Sequence, residues 1–313
     1  MKAKSTYYQI SLFLASLLIL SGCSEPEYDL GPLSAPTNIT VETELVGQTE
    51  DAPYGDGSGE VIITVTADNA IAYKIDYGTT SGLNLVPFNG QTTRKYTKTG
   101  INTYTLTIVA YGPGGTATNI TQDVTVESVF TPDLEIVSAL TGDGSKTWVV
   151  DKASAGHFGV GPWSDSSGWP EWWSAAVNEK VGVADCFYSA TFTFVQVSDT
   201  EFTLEVETPD GAFTKTGDLT TLPGIPDSGA EGCYAYSGGS SEFSFAPSST
   251  GIPASNPSTK TSIILAGNDT FIGYGAVQKE YEILEVSEDV LYLRVQGTET
   301  GNAWYIRLVP AAQ

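Results

Sequence analysis

The sequence predicts an all-β protein of two domains, and three observations carry that prediction. The 313 residues exceed what one core comfortably organises, at roughly 100 to 200 residues per domain. Charged residues make up only 16 %, while Gly numbers 33 and Pro 16, a composition that favours strands joined by tight turns. Apolar residues alternate with polar ones in short runs bounded by Gly, Asn or Pro, the period of a pleated strand.

The chain opens with Lys2 and Lys4, an apolar run "ISLFLASLLIL" and "LSGC" ending at Cys23. Residues 1–22 therefore read as an export signal, too short to span a bilayer. The tetrad resembles a bacterial lipobox, which implies lipidation of Cys23. "SEPEYD" after it resembles the acidic tag that sends Bacteroidetes lipoproteins to the outer face of the outer membrane. Residues 23–34 carry Pro, Gly and acid with little to bury, and read as an acidic flexible stalk. The expectation is a lipid-anchored protein whose only membrane contact is that anchor.

Residues 35–128 hold the first set of strands: "TNITVETEL", "GEVIITVTA", "AIAYKIDYG" and "NTYTLTIVAYG". Their spacing suits an immunoglobulin-like sandwich. The segments "PYGDGSGEVIITVTADNAIAYKIDYG" (53–78) and "KYTKTGINTYTLTIVAYGPGGTAT" (95–118) also resemble a PKD domain of Bacteroidetes surface proteins. That family's "FGDG" turn stands here as "DYGTTSG" from Asp76, so the Asp of that motif is missing and with it the basis for any cation site it would build. The resemblance implies a spacer holding something away from the membrane. Residues 129–139 read as a linker.

Residues 140–313 hold about eight further strands, among them "CFYSATFTFVQV", "EFTLEVET", "YEILEVS", "VLYLRVQG" and "AWYIRLV". This pattern predicts a jelly-roll-like β-sandwich, or a barrel. Two long polar loops, residues 220–233 and 247–260, interrupt it, and loops of that length usually carry function or lack order.

Charge narrows the partners. The whole chain has 37 acidic and 14 basic side chains, and the 14 less the two in the leader leaves 12. So acidic a surface repels polyanions, which disfavours nucleic acid and favours neutral over sulfated or uronic-acid polysaccharides unless a local basic pocket intervenes. Two cysteines remain after Cys23. Cys186 and Cys233 are an even pair in an exported chain and are expected to be bonded, with two buried thiols as the alternative. With one histidine and no Cys/His cluster, no transition-metal site is expected. The turns "GDGSG" at Gly55 and "GDGS" at Gly142 lack the further carboxylates of a full calcium loop, so a structural Ca2+ is the most they would hold, and no cofactor is expected.

The segment "GPWSDSSGWPEWWSAA" (161–176) concentrates four of the six tryptophans, Trp163, Trp169, Trp172 and Trp173, within eleven residues. Trp148 and Trp304 sit in alternating strands and read as core. The four have Pro, Gly, Ser and acid for neighbours, so they cannot be buried as one stripe and some rings must face solvent. Trp172 and Trp173 diverge in direction, one anchoring the loop and the other facing out, and sequence does not decide which. A bare indole suits the C–H face of a pyranose, with Asp165, Glu171 and Asn178 accepting from or donating to sugar hydroxyls and His157 as a further donor. The competing readings are a protein–protein hot spot, a buried plug, and an aromatic cage for a quaternary ammonium.

A second resemblance favours sugar. Residues 140–180 and 292–310 resemble a β-sandwich module that accompanies PKD domains in Bacteroidetes surface glycan-binding lipoproteins and some β-glucanases. It implies a non-catalytic lipoprotein of a starch-utilisation-like system that captures a neutral polysaccharide, a β-glucan such as laminarin, for a neighbouring outer-membrane transporter.

The sequence offers little for catalysis. The Glu-x-Asp-x-x-Glu motif of laminarinase-like hydrolases is absent; its nearest approach, "EYEILEVSED", places Glu282 and Glu285 on opposite faces of a regular strand. His157 has no G-x-S-x-G elbow to serve. An undetected glycosidase remains the alternative in the enzyme class.

Overall fold

The computed structural model describes residues 33–80, 82–215, 222, 224–226, 228–253, 255–267, 269–275 and 279–312. The segment read as an export signal, Cys23 and nearly all of the segment read as a stalk lie outside the described residues.

The first domain packs two antiparallel sheets. One is ordered β1 (Thr37–Leu45), β2 (Glu60–Asp68), β5 (Gln91–Lys95); the other β4 (Val86–Phe88), β3 (Ala72–Asp76), β6 (Gly100–Tyr111), β7 (Ala117–Ser128). Alternation does what the sequence predicts: Val61, Ile63 and Val65 of β2 meet Leu106 and Ile108 of β6 and Val124 and Val126 of β7 in one buried cluster. The arrangement is the expected immunoglobulin-like sandwich.

The linker reading covers too much. Leu134–Thr141 is helix α1, with Asp133 as its cap accepting from the Glu135 amide at 2.9 Å. Ile136, Val137 and Leu140 enter the core of the second domain, and the Leu140 carbonyl accepts from Trp148 Nε1 at 2.9 Å. The helix belongs to the second domain because its apolar stripe is buried there; residues 129–133 alone connect the two.

The second domain is a closed antiparallel barrel. Its strands are β8 (Ser145–Val150), β11 (Thr191–Gln196), β12 (Phe202–Glu207), β15 (Gly239–Pro247), β16 (Thr261–Leu265), β17 (Glu280–Val286), β18 (Leu291–Gln296) and β19 (Asn302–Pro310). Each pairs with the next, and the last half of β19 returns to β8 through Leu308↔Val150 and Pro310↔Trp148. The first half of β19 pairs instead with β9 (Phe158–Pro162), which carries the two-residue β10 (Trp173–Ser174) on its outer edge. Up-and-down connectivity with closure is a barrel and departs from the jelly-roll expectation. Alternation of side chains is the same in both, so the strand pattern does not distinguish them, whereas closure leaves fewer edges exposed. The lumen is filled: Trp148, Phe192, Phe194, Phe243, Tyr281, Leu293 and Ile306 all point inward and are buried, as an eight-stranded barrel allows.

Helix α2 (Cys186–Ser189) and the hairpin of β13 (Ala212–Thr214) and β14 (Gly232–Tyr234) lie beside the barrel. Cys186 and Cys233 join them by a disulfide, with Cα atoms 6.1 Å apart.

Candidate functional site

The tryptophan segment is built on β9. Phe158 faces the core, and the next alternate positions, Gly159 and Gly161, present no side chain on the other face. The chain uses that vacancy to fold back. A Cβ on Gly159 would lie 2.5 Å from Pro170 Cβ and 2.8 Å from the Trp173 carbonyl; on Gly161 it would lie 2.8 Å from the Trp169 carbonyl. "GVG" before "PW" is therefore a seat for residues 169–173.

Each tryptophan has a different fate. The Trp172 amide donates to the Val160 carbonyl at 3.1 Å and Trp173 pairs with Val160, so the two alternate as neighbours on a strand do. Trp173 turns in, edge-on to Phe158 with ring centroids 5.6 Å apart. Lys180 Nζ lies 5.3 Å from the Trp173 ring and is paired with Glu231 at 3.2 Å. Trp172 turns out and is 56 % exposed, and Trp169, at the crest of the loop, is 53 % exposed. These two are the bare indoles. Asp165 and Glu171 are exposed on the same loop.

Trp163 is not among the bare rings. It is half-buried, and the Arg294 guanidinium lies 4.2 Å from its centroid. Arg294 is itself wholly buried on the outer surface of β18, beneath the loop segments that carry Trp163 and Ser164, and Thr250 and Ser258. It donates to the Ser164 carbonyl at 2.8 Å and the Tyr305 hydroxyl at 3.2 Å, and lies 3.8 Å from Glu282 of β17. Glu282 also accepts from the hydroxyls of Ser258, at 2.5 Å, and Thr250. Sequence reasoning missed this pair because a charged residue on the outer face of a strand reads as solvated; only the loops crossing over it make it buried.

His157 is also removed from the surface. It is completely buried, with Nδ1 2.6 Å from the Ser154 carbonyl and Nε2 2.8 Å from the Tyr188 hydroxyl. A carbonyl only accepts, so Nδ1 carries the proton and Nε2 accepts from the phenol, leaving no nitrogen for a ligand. Burial holds the Tyr188 phenol above its ordinary range, which keeps that donor protonated. Its oxygen accepts in turn from the Lys180 amide at 3.1 Å. Asn178 is exposed in the turn after the loop, where it takes φ 59° and its backbone N–H donates to the Lys152 carbonyl at 2.8 Å. Trp148 and Trp304 are buried.

Glu282 and Glu285 do not lie on opposite faces. The register shifts between Ile283 and Glu285, so Glu282 stands opposite Arg294 and Glu285 opposite Tyr292, two residues of the same face of β18. Glu282 is nevertheless sealed, while Glu285 is exposed and pairs with Arg307 at 3.5 Å. Among the described residues no group of three or more His, Cys, Asp or Glu is placed to hold a metal. In the "GDGSG" turn hydrogen bonding from the Ser58 side chain, and then from the Ser58 backbone amide at 3.0 Å, holds the Asp56 carboxylate below the usual carboxylate range.

Fold and site together define a two-domain all-β protein, a sandwich followed by a closed barrel, that displays two tryptophans on a seated loop. No family model matches the chain, and no curated protein matches it. Among solved structures it is similar to the PKD1 domain of the Vibrio cholerae metalloprotease PrtV, with 19 % identity over 30 % of this chain and all of that one, at TM-score 0.23. It is likewise similar to the PKD1 domain of Vibrio anguillarum Epp, with 16 % identity over 31 % of this chain and 99 % of that one, at TM-score 0.23. A structure of carbohydrate-binding modules of the β-sandwich superfamily covers 90 % of this chain and 94 % of its own, with 12 % identity and TM-score 0.24.

Proposed function

We propose that the protein is a cell-surface glycan-binding protein, lipid-anchored through Cys23 to the outer membrane, that binds a neutral polysaccharide through Trp169 and Trp172 without cleaving it. The supporting observation is the exposure of those two indoles on a loop whose inward residue, Trp173, is packed against the core. Exposed rings held in place are a recognition surface prepared in advance, so binding orders few side chains. Asp165 and Glu171 supply acceptors for equatorial hydroxyls on the same loop. The sandwich domain is the spacer, and a β-glucan of the laminarin type, handed to an outer-membrane transporter, is the ligand favoured by the sequence resemblance.

Affinity electrophoresis in gels containing laminarin, mixed-linkage glucan or no glycan tests this. Retardation by a glucan that disappears in Trp169→Ala and Trp172→Ala is the expected result. Unretarded wild-type protein in every neutral glycan defeats the reading, and release of reducing ends defeats its non-catalytic part.

One observation favours a second reading. Val177, Val181 and Val183 follow the tryptophans in sequence and are also exposed, Val183 at 81 %. Aliphatic side chains add little to a sugar platform but suit a protein partner, so an adhesin-like contact through residues 169–183 is the alternative.

A further inference from the structure

The chain holds 37 acidic and 14 basic side chains, and of its three arginines Arg94 is the one with no carboxylate of a described residue within ion-pair distance. Lys98 pairs with Glu201, Lys180 with Glu231, Lys215 with Glu299, Arg294 with Glu282 and Arg307 with Asp151. Arg94 is different. It makes no side-chain hydrogen bond and no ion pair with any described residue, and its Nε is sealed from solvent without a partner. Its one contact of note is the Tyr77 ring, 4.7 Å from the guanidinium carbon.

Position explains how it came to be so. In β5, an edge strand, Arg94 stands opposite Val61, a fully buried core residue, so its stem starts on the inner face of the sandwich. The guanidinium lies where the sandwich faces the barrel, in a cleft of about 490 Å3 lined also by Tyr77, Thr79, Thr93, Ser249 and Glu280. The domains are held together beside this cleft by Lys98–Glu201 at 3.2 Å and by a hydrogen bond between Thr97 and Ser244.

The acids that share the cleft are already engaged. Asp76 accepts from the Gly78 and Asn84 amides at 2.8 and 2.9 Å, and Glu280 from the Ser249 amide at 2.7 Å and the Ser262 hydroxyl at 2.9 Å. Glu60 stands across the ladder from Lys95. The lining carries Glu60, Asp76 and Glu280 against Arg94, Lys95 and Lys279, and Arg94 is the planar cation among them, pre-oriented on an aromatic face with its sealed Nε lacking an acceptor.

We propose that this interdomain cleft is a second binding site, independent of the tryptophan loop, for an oxyanion group on a sugar, a carboxylate or a sulfate ester, held by Arg94. A guanidinium fork matches two oxygens of such a group, and a partly desolvated one without an acceptor gains most from acquiring one. Hydroxyls of Thr79, Thr93 and Ser249 line the rest and suit a polyhydroxylated body. The group is an isolated substituent, because a chain of net charge −23 repels polyanions as a whole.

Titration of the intact protein, followed by NMR or calorimetry, with glucuronate, glucose 6-sulfate and glucose at low and high salt tests the site. Binding of at least one anionic probe and not of glucose is expected, weakened about ten-fold or more in Arg94→Gln. Arg94→Lys, which keeps the charge and loses the fork, falls between the two, and Trp169→Ala/Trp172→Ala leaves the affinity unchanged. Failure of both anionic probes, equal binding by Arg94→Gln, or loss only in the tryptophan variant overturns the proposal; the last outcome would move the anion to the loop. Should Arg94→Gln fail to fold, Arg94→Lys alone decides: wild-type affinity and selectivity there also overturn it.

Discussion

The Arg294 guanidinium lies 4.2 Å from the centroid of Trp163 and 3.8 Å from the Glu282 carboxylate, all of it covered by loops on the outside of the barrel. A buried ion pair is a poor source of net stability but a costly thing to break, because the surviving charge has no water to return to. Here its guanidinium touches Trp163 and the Ser164 carbonyl, where the tryptophan segment leaves β9.

Arg294→Met is accordingly expected to destabilise the protein by about 3 to 5 kcal/mol, while Glu282→Gln/Arg294→Met recovers a large part of that. Denaturant unfolding of the two variants checks it. Similar losses in both would mean that packing, and not the orphaned carboxylate, sets the cost.

The four loop tryptophans divide by what each touches. Trp169→Ala and Trp172→Ala are expected to abolish glucan retardation and change stability by no more than about 0.5 kcal/mol, the range of ordinary surface substitutions. Trp173→Ala is expected to cost about 3 kcal/mol, because it opens a cavity against Phe158. Thermal melts beside affinity gels separate these outcomes.

Gly161→Ala places a methyl 2.8 Å from the Trp169 carbonyl and 3.0 Å from the Glu171 amide nitrogen, both backbone atoms. The loop must lift to admit it. The expected result is a loss of about 1 to 3 kcal/mol together with weakened glucan binding, although no side chain of the platform has changed.

The disulfide closes a separation of 47 residues, for which the chain-entropy model gives about 4 kcal/mol. Cys186→Ala/Cys233→Ala is expected to lower the melting temperature accordingly, with reductant reproducing the shift in the native protein and leaving the variant unaffected.

Burial pushes the phenols of Tyr96, Tyr236, Tyr274, Tyr281 and Tyr292 well above the usual range, and Tyr104 up to about 12. With folded values raised, their contribution is fully present below the unfolded value near 10 and is lost as pH rises through and beyond it, since only the unfolded chain releases those protons there. Burial pushes Lys279 down to about 8, which acts oppositely: its cost below pH 8 is relieved as pH climbs towards the unfolded value near 10.4. Six phenols outweigh one amine. Cooperative alkaline unfolding above pH 10, with phenolate absorbance and loss of near-UV circular dichroism appearing together, is the expected observation; separate, non-cooperative titration of the tyrosines would contradict it.

Much of the fold was readable because strand alternation is local. "EVIITVTAD" declares Val61, Ile63 and Val65 as one face whatever lies across from it, and they are buried as read. Helix α1 was readable too, from Asp133 at its start and Gly142, with φ 59°, at its end, but within a Pro-containing segment it passed for a linker. The site was half legible. Composition around the tryptophans required exposed rings, and Trp169 and Trp172 are exposed; it could not reveal that His157 is enclosed by Ser154 and Tyr188 or that Arg294 covers Trp163.

By itself, then, the sequence determined which residues alternate and that four indoles among Pro, Gly and Ser could not share one core, while it left Cys186 and Cys233 as either a bonded pair or two buried thiols. Tertiary structure alone decided that the strands close into a barrel, that a bulge brings Glu282 and Glu285 to one face, and which indole of the adjacent pair meets water. The physical reason is range. Periodicity and turn chemistry act between neighbours along the chain, whereas closure, burial of a charge and the facing of a loop residue depend on which distant segment comes to lie on top.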